Sequence, residues 1–420
     1  MSQKFVLPNG VRVVYEELPH VRSVAVGIWV GAGSRHEQAK NGGVSHFIEH
    51  MLFKGTENRT ARQIAEELDA VGGQLNAFTG REYTCFYARV LDEDTEAAVG
   101  VLTDMFFHSL FDPGEIEKEK RVVAEEIKMC EDTPDDRILD LFTENLWDGH
   151  AIGRSILGSA KSLAGLNRKQ ILEYMDIFYT PDRVVIAVAG KFRQRELLEM
   201  LAPFAAWNRP AAPAETSCPE AGSPRRSYSK DIEQLHIVIG VPGLPVGHED
   251  IYTLQIINNL LGVGMSSSLF QEIREQRGLV YDVHSFLGAY RDTGLFGIYA
   301  GAAPEKGEEV IRAVLAEVEK LKQEGVSEDK LARTVAQIKG SMYLGLESVS
   351  SVMNRLGKME LDLGRVKTTE EVAAELQKVT PADVSRVLAD LWQTDKISAV
   401  TLGRKTFRAD LRRLIAEETA

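Results

Sequence analysis

The chain has 420 residues, 44% hydrophobic and 26% charged, with a formal net charge of −13. That length supports two or three domains with sizeable cores, in the balance of an ordinary globular protein. The acidic charge argues against nucleic acid and anionic membrane partners, no apolar run is long enough to span a membrane, and the three cysteines have no paired spacing that implies a disulfide framework or structural zinc cluster. The opening Met1-Ser2-Gln3-Lys4-Phe5 lacks the apolar region of a signal peptide, so a cytoplasmic location is expected, in keeping with sparse cysteines in a reducing compartment.

Strand-like runs cover 11–15 and 24–30. A helix follows: Val44, Phe47, Ile48, Met51 and Leu52 recur on one face, Ser45 stands at its entry, and Lys54-Gly55 marks its end. Within it lies His46-Phe47-Ile48-Glu49-His50. The spacing places both imidazoles and the carboxylate together on the face opposite the apolar stripe. Two neutral imidazoles and a nearby carboxylate suit a zinc ion and a water that it activates. A solvated polar face fits the spacing too, but such a face more often carries Lys and Arg than two of only nine histidines.

Residues 72–85 read as a strand, a turn at Thr79-Gly80-Arg81-Glu82 and a second strand, continuing to 90. By themselves these residues make an ordinary hairpin with an inward Phe78. Helical patterns cover 95–107 and 113–129, the second starting at Pro113 after Asp112. Catalytic zinc usually keeps three protein ligands and one open position, so a third donor is needed from another segment. On 113–129, Ile116, Val123, Ile127 and Cys130 form the apolar stripe. Glu119 and Glu126 lie on its border, whereas Glu117, Glu125 and Lys128 point away. A carboxylate beside a buried stripe is costly unless paired or bound to a cation, which favours Glu126 over Glu125 as the donor. An acidic face whose border glutamates reach water is the ordinary reading of this segment alone.

From 207 to 228 the composition shifts: Pro210, Pro213, Pro219 and Pro224 punctuate a stretch rich in Ala, Ser and Glu, which reads as a linker between domains 1–206 and 229–420. The two sides echo each other. Leu75-Asn76-Ala77-Phe78-Thr79-Gly80 matches Val283-His284-Ser285-Phe286-Leu287-Gly288, and Asp182 to Gly190 matches Asp395 to Gly403, at offsets of 208 and 213 residues. In the second copy Gln255, Asn258 and Asn259 stand opposite His46, Glu49 and His50, and Gln337 stands opposite Glu126. Amides lack the charge and basicity that a zinc site needs, so only the first copy is expected to hold metal. Residues 266–278 read as a helix ended by Gly278, with a strand through Tyr281 after it and another helix over 306–324. Strands joined by short turns and followed by paired helices predict an α+β fold: two homologous domains from an internal duplication, each a mostly antiparallel sheet packed with helices.

His46-Phe47-Ile48-Glu49-His50, followed 76 residues after His50 by Glu126, resembles the inverted zinc motif of the pitrilysin/insulinase metallopeptidases. The run from Gly43 to Thr56 and the run Glu119-Lys120-Arg121-Val122-Val123-Ala124-Glu125-Glu126 are similar to the mitochondrial processing peptidase branch. The resemblance covers the whole chain in length and motif order. It implies one Zn²⁺ per chain on His46, His50 and Glu126, Glu49 as general base, and Glu119 as a carboxylate that orients a ligand from behind. It also implies a peptide substrate added as a strand beside Asn76, Ala77 and Phe78. Arg274 and Tyr281 match a family pair that contacts substrate and the developing oxyanion. Members of this length imply a homodimer enclosing a chamber, with Arg274 and Tyr281 of one chain facing the zinc of the other. Relatives of this fold also serve as non-catalytic partner or structural subunits, which typically lose ligands that this chain retains.

Overall fold

The computed structural model describes residues 2–211, 217–405 and 407–419, which form two compact units. The first comprises Met1–Met129, Arg154–Ser217 and Leu344–Thr368. Its six strands are β1 (Gln3–Val6), β2 (Arg12–Glu17), β3 (Ser23–Val30), β4 (Gln74–Thr79), β5 (Thr84–Leu91) and β6 (Val184–Gly190). They pair in the order β1-β2-β6-β3-β5-β4, antiparallel throughout except for β2 with β6. β6 is buried at every position, as its unbroken apolar sequence requires of a strand covered on both faces. β4 is an edge strand, paired with β5 alone among the described residues.

One face of this sheet is covered by α1 (Val44–Leu52), α2 (Ala61–Asp69), α3 (Thr95–His108), the buried stripe of α4 (Pro113–Asp132) and the helix Arg168–Phe178. Phe47, Ile48 and Met51 of α1 and Ile116 and Val123 of α4 meet Val26, Ile28 and Phe86 of the sheet there. The face of α1 that carries His46, Glu49 and His50 is therefore the one its core contacts leave over. On the other face Val14, Ala25, Trp29 and Val185 pack against Val352, Met353 and Leu356 of the helix Val349–Leu363. Gly357 lets that helix lie on the Trp29 indole, since a Cβ there would stand 2.3 Å from Trp29 Nε1.

The second unit comprises Cys130–Gly153, Cys218–Tyr343 and Thr369–Ala420. Its strands are β7 (Arg225–Ser229), β8 (Leu235–Gly243), β9 (Val280–Ala289), β10 (Gly294–Ala302) and β11 (Ser398–Gly403), in the order β7-β11-β8-β10-β9. Only β7 and β11 run parallel. This repeats the first sheet strand for strand without β1: β4 and β9 are the matching edges, and β6 and β11 the matching strands with a parallel neighbour. α5 (Pro134–Leu146) packs Phe142 and Leu146 onto Val238, Leu295 and Val400 of this sheet. The chain thus adopts the expected α+β architecture of two homologous, mostly antiparallel domains from an internal duplication.

Three details differ from the sequence reading. The helix over 266–278 contains a π-helix, Phe270–Gln276, with Arg277 N–H donating to Glu272 O five residues back. β7 begins inside the stretch 207–228, of which residues 212–216 lie outside those described. Each compact unit also takes a helix from beyond that stretch, Val349–Leu363 in the first and α5 in the second.

Candidate metal centre

α1 starts abruptly. Its N-cap, Gly43, has φ +89°, and a Cβ there would stand 2.5 Å from the Leu157 carbonyl oxygen, so only glycine fits. The exposed N–H groups of this first turn find a buried carboxylate: Gly43 N–H donates to Glu37 Oε2 at 2.6 Å and Ser45 N–H to Glu37 Oε1 at 2.8 Å. Burial is the main reason that the Glu37 carboxyl is pushed up to about 7, against the pull of these two donors.

From this anchored helix the two imidazoles project together, with His46 Nε2 and His50 Nε2 3.2 Å apart. Glu126 reaches in from α4, its Oε2 3.7 Å from His46 Nε2 and 3.4 Å from His50 Nε2. Glu125, its neighbour, points away and pairs with Lys128 at 2.7 Å. A tetrahedral zinc with bonds of about 2.0–2.1 Å holds its ligand atoms about 3.3 Å apart. The three observed separations bracket that edge length, so the donor set fits the ion in number, chemistry and spacing. Among the described residues, His46, His50 and Glu126 are the set of three such side chains whose ligand atoms lie within 4.8 Å of one another.

The protonation states suit the same task. Burial first, and His50 second, push His46 down to about 4, so its ring is neutral near pH 7. His50 Nδ1 lies 2.8 Å from Glu119 Oε1, which places the ring proton on Nδ1 and the lone pair on Nε2, toward the other ligands. Glu119 is 3% exposed, and its second oxygen meets Lys54 Nζ at 2.7 Å. A lysine at the end of α1 thus compensates the buried charge that orients His50.

Glu49 sits one turn from His46 on the same face. Its Oε2 accepts a hydrogen bond from Thr79 Oγ1 at 2.5 Å. Burial raises its pKa, with nearby Glu126 acting in the same direction. The edge strand therefore ends at this carboxylate. Along β4, Leu75 and Ala77 pack on the α1 side of the sheet, while Phe78 packs on the other side with Trp29 and Tyr83 at ring separations of 5.4 and 6.2 Å. Asn76 is exposed, and its Oδ1 accepts the Ala77 N–H at 2.8 Å.

In the second unit, Arg274 lies on the π-helix with its guanidinium over the rings of Phe270 at 4.8 Å and Tyr281 at 5.3 Å. Tyr281 is 77% exposed. Gln255, Asn258 and Asn259 fall on the helix Ile251–Gly262 and Gln337 on Glu328–Gly345, the helices expected to correspond to α1 and α4. Sequence reasoning missed Glu37, Lys54 and Thr79. In the sequence Lys54 marks only the end of a helix and Thr79 only part of a turn. The glycine pair before α1 was the one local signal that its start needed an unusual cap.

Known proteins share the sequence and the fold of this chain. The insulinase family (peptidase family M16) matches residues 12–160, and the peptidase M16 inactive domain matches residues 165–338. An uncharacterized zinc protease of Bacillus subtilis, YmxG, is 44% identical over 395 residues, covering 94% of this chain and 97% of its own. An uncharacterized zinc protease of Streptomyces coelicolor is 39% identical, covering 92% of this chain and 86% of its own. Among solved structures, a protease from Helicobacter pylori shares the fold with a TM-score of 0.90 at 21% identity over 96% of this chain and 99% of its own. A chain of complex III2 from Candida albicans shares it with a TM-score of 0.87 at 20% identity over 99% of each. The fold alone thus serves more than one kind of protein, but with full-length relatives called zinc proteases and both family domains in order, this chain belongs to the insulinase family, peptidase family M16.

Proposed function

We propose that the protein is a zinc-dependent endopeptidase that cleaves peptides or unfolded segments held as an added strand in a closed chamber. The observation that supports it most is the approach of His46 Nε2, His50 Nε2 and Glu126 Oε2 to within 3.2–3.7 Å of one another. His46, His50 and Glu126 would hold one zinc ion per chain, which would supply the Lewis acidity to acidify a water and polarise the scissile carbonyl. Glu49 accepts the proton of the attacking water at Oε1, because Oε2 is engaged by Thr79, and then passes that proton to the leaving amine. Its raised pKa helps the protonated form persist for the second transfer.

The substrate pairs along the open edge of β4 beside Asn76, Ala77 and Phe78, which gives main-chain recognition with little demand on sequence. The protein acts as a homodimer enclosing the chamber, without nucleic acid or membrane, in the cytoplasm. Tyr281 of one protomer donates to the developing oxyanion at the partner's zinc site. Arg274 holds the phenol ring and adds positive charge there.

The test is Glu49→Gln, which keeps the shape and the Thr79 contact but cannot take a proton. Metal analysis after purification should find zinc at the wild-type level. Cleavage of a quenched peptide library should fall by about 10²-fold or more, the usual range for a lost general base. Removing metal from the wild type with a chelator should abolish cleavage, and added zinc should restore it. Turnover of Glu49→Gln equal to that of the wild type overturns the assignment.

A further inference from the structure

A glutamate that moves protons is useful only if its carboxylate faces the right way, and the last torsion of a glutamate side chain is soft and broad. Something must therefore hold the Glu49 carboxylate. The metal ligands His46 and His50 share its helix but make no hydrogen bond to it among the described residues. The hydrogen bond it does make comes from outside α1 altogether, from Thr79 Oγ1 at 2.5 Å. A short bond to a charged acceptor is of the stronger kind.

The origin of that donor matters. Thr79 is the last residue of β4, paired with Thr84 of β5. It falls in phase with Leu75 and Ala77, which face the α1 side, because side chains alternate along a strand. Thr84 in turn donates to the Ala32 carbonyl at 2.9 Å, so the partner beneath Thr79 is itself fixed. The outer edge of β4 pairs with no other strand among the described residues, while its terminal side chain grips the carboxylate on the neighbouring helix.

We propose that Thr79 is a positioning residue that orients the Glu49 carboxylate with Oε1 toward the metal centre and ties that orientation to the state of the edge strand. A peptide added along β4 completes the ladder of that strand and restrains its end, which keeps the Thr79–Glu49 bond made while substrate is seated, so the base stays aligned in the bound complex. The inference rests on the peptidase reading above for its consequence in turnover, but the hold of Thr79 on Glu49 is a separate structural claim.

Two variants test it. Thr79→Val keeps the β-branched shape suited to a strand and removes only the donor, and Thr79→Ser keeps the donor. With zinc bound, Thr79→Val should lose about tenfold or more in kcat, as expected for a misplaced reacting group. Its KM and its zinc affinity by chelator competition should match the wild type, and Thr79→Ser should recover most of the loss. A purely structural role for Thr79 moves thermal stability without this split between kcat and KM or this rescue. Crystal structures of the zinc-loaded proteins supply a readout independent of activity: the Glu49 carboxylate should take one orientation in the wild type and several in Thr79→Val. An unchanged kcat in Thr79→Val, an equal loss in Thr79→Ser, or a single unmoved carboxylate in Thr79→Val overturns the proposal. Should wild type and Glu49→Gln behave alike, the peptidase reading fails, and the crystallographic comparison still decides whether Thr79 holds Glu49.

Discussion

A protonated imidazole cannot bind zinc, so metal binding at this site needs a neutral His46. An unfolded histidine titrates near 6.5, whereas burial and His50 push His46 down to about 4 in the folded chain. Between these values the unfolded chain binds a proton that the folded chain does not. The metal-free protein therefore keeps this contribution to stability above pH 6.5 and loses it progressively as pH falls toward 4, by an amount on the order of 3 kcal/mol. Urea unfolding of chelated wild type and His46→Gln across this range checks it: the stability difference between them should shift by about that much, and a difference flat with pH contradicts it. At this scale the sequence was informative where spacing carries geometry. His46, Glu49 and His50 share a helix face because of their four-residue span, and Glu126 was separable from Glu125 by its place beside Val123 and Ile127. Lys54, Glu37 and Thr79 left no such trace, since each acts on a residue that only the fold brings near.

Elements show the same division. Apolar periodicity located α1, α3 and α4 to within a few residues, because each buries one stripe against one sheet face. It could not report the π-helix at Phe270–Gln276, whose wider hydrogen-bond ring changes the backbone and not the pattern of apolar residues. Nor could it show that the start of α1 is held by a residue six positions earlier. Glu37 satisfies two N–H groups of a buried helix end. Glu37→Ala leaves both without an acceptor and should cost about 2–6 kcal/mol in stability, each unsatisfied group contributing about 1–3. Glu37→Gln keeps one acceptor oxygen and should lose less. Denaturant unfolding at pH 8 measures both. Zinc affinity should weaken in the same order, because His46 and His50 depend on the direction in which α1 leaves Gly43. Equal stability of Glu37→Ala and wild type rules out the cap as a structural anchor.

At the scale of the whole chain, duplication accounts for a candidate metal set in one half, His46, His50 and Glu126, beside a second half of the same fold. Both halves keep the strand order, with His46, Glu49 and His50 on α1 of the first and the amides Gln255, Asn258 and Asn259 on the helix Ile251–Gly262 of the second. The second half instead carries Arg274 stacked on the exposed Tyr281, the pair proposed above as donors to the developing oxyanion. The sequence echo made the two copies legible. It could not foresee that the helix Val349–Leu363 covers the first sheet and α5 the second, because amphipathic helices do not specify which sheet they cover.

If Tyr281 serves the partner's zinc site, the two roles are separable by mixing chains. Glu49→Gln retains a good Tyr281 but a dead base, and Tyr281→Phe retains the base without the phenol. Each pure homodimer should be impaired. When the two are dissociated together and allowed to re-associate at random, half of the dimers contain one chain of each kind. In every such dimer one site combines Glu49 from one chain with Tyr281 from the other, so about one site in four regains wild-type composition. Activity of the mixture should rise toward that fraction above the mean of the separate samples, with a dimer mass in solution. If each chain supplies its own Tyr281, mixing restores nothing, and the trans arrangement is excluded even where both substitutions reduce turnover.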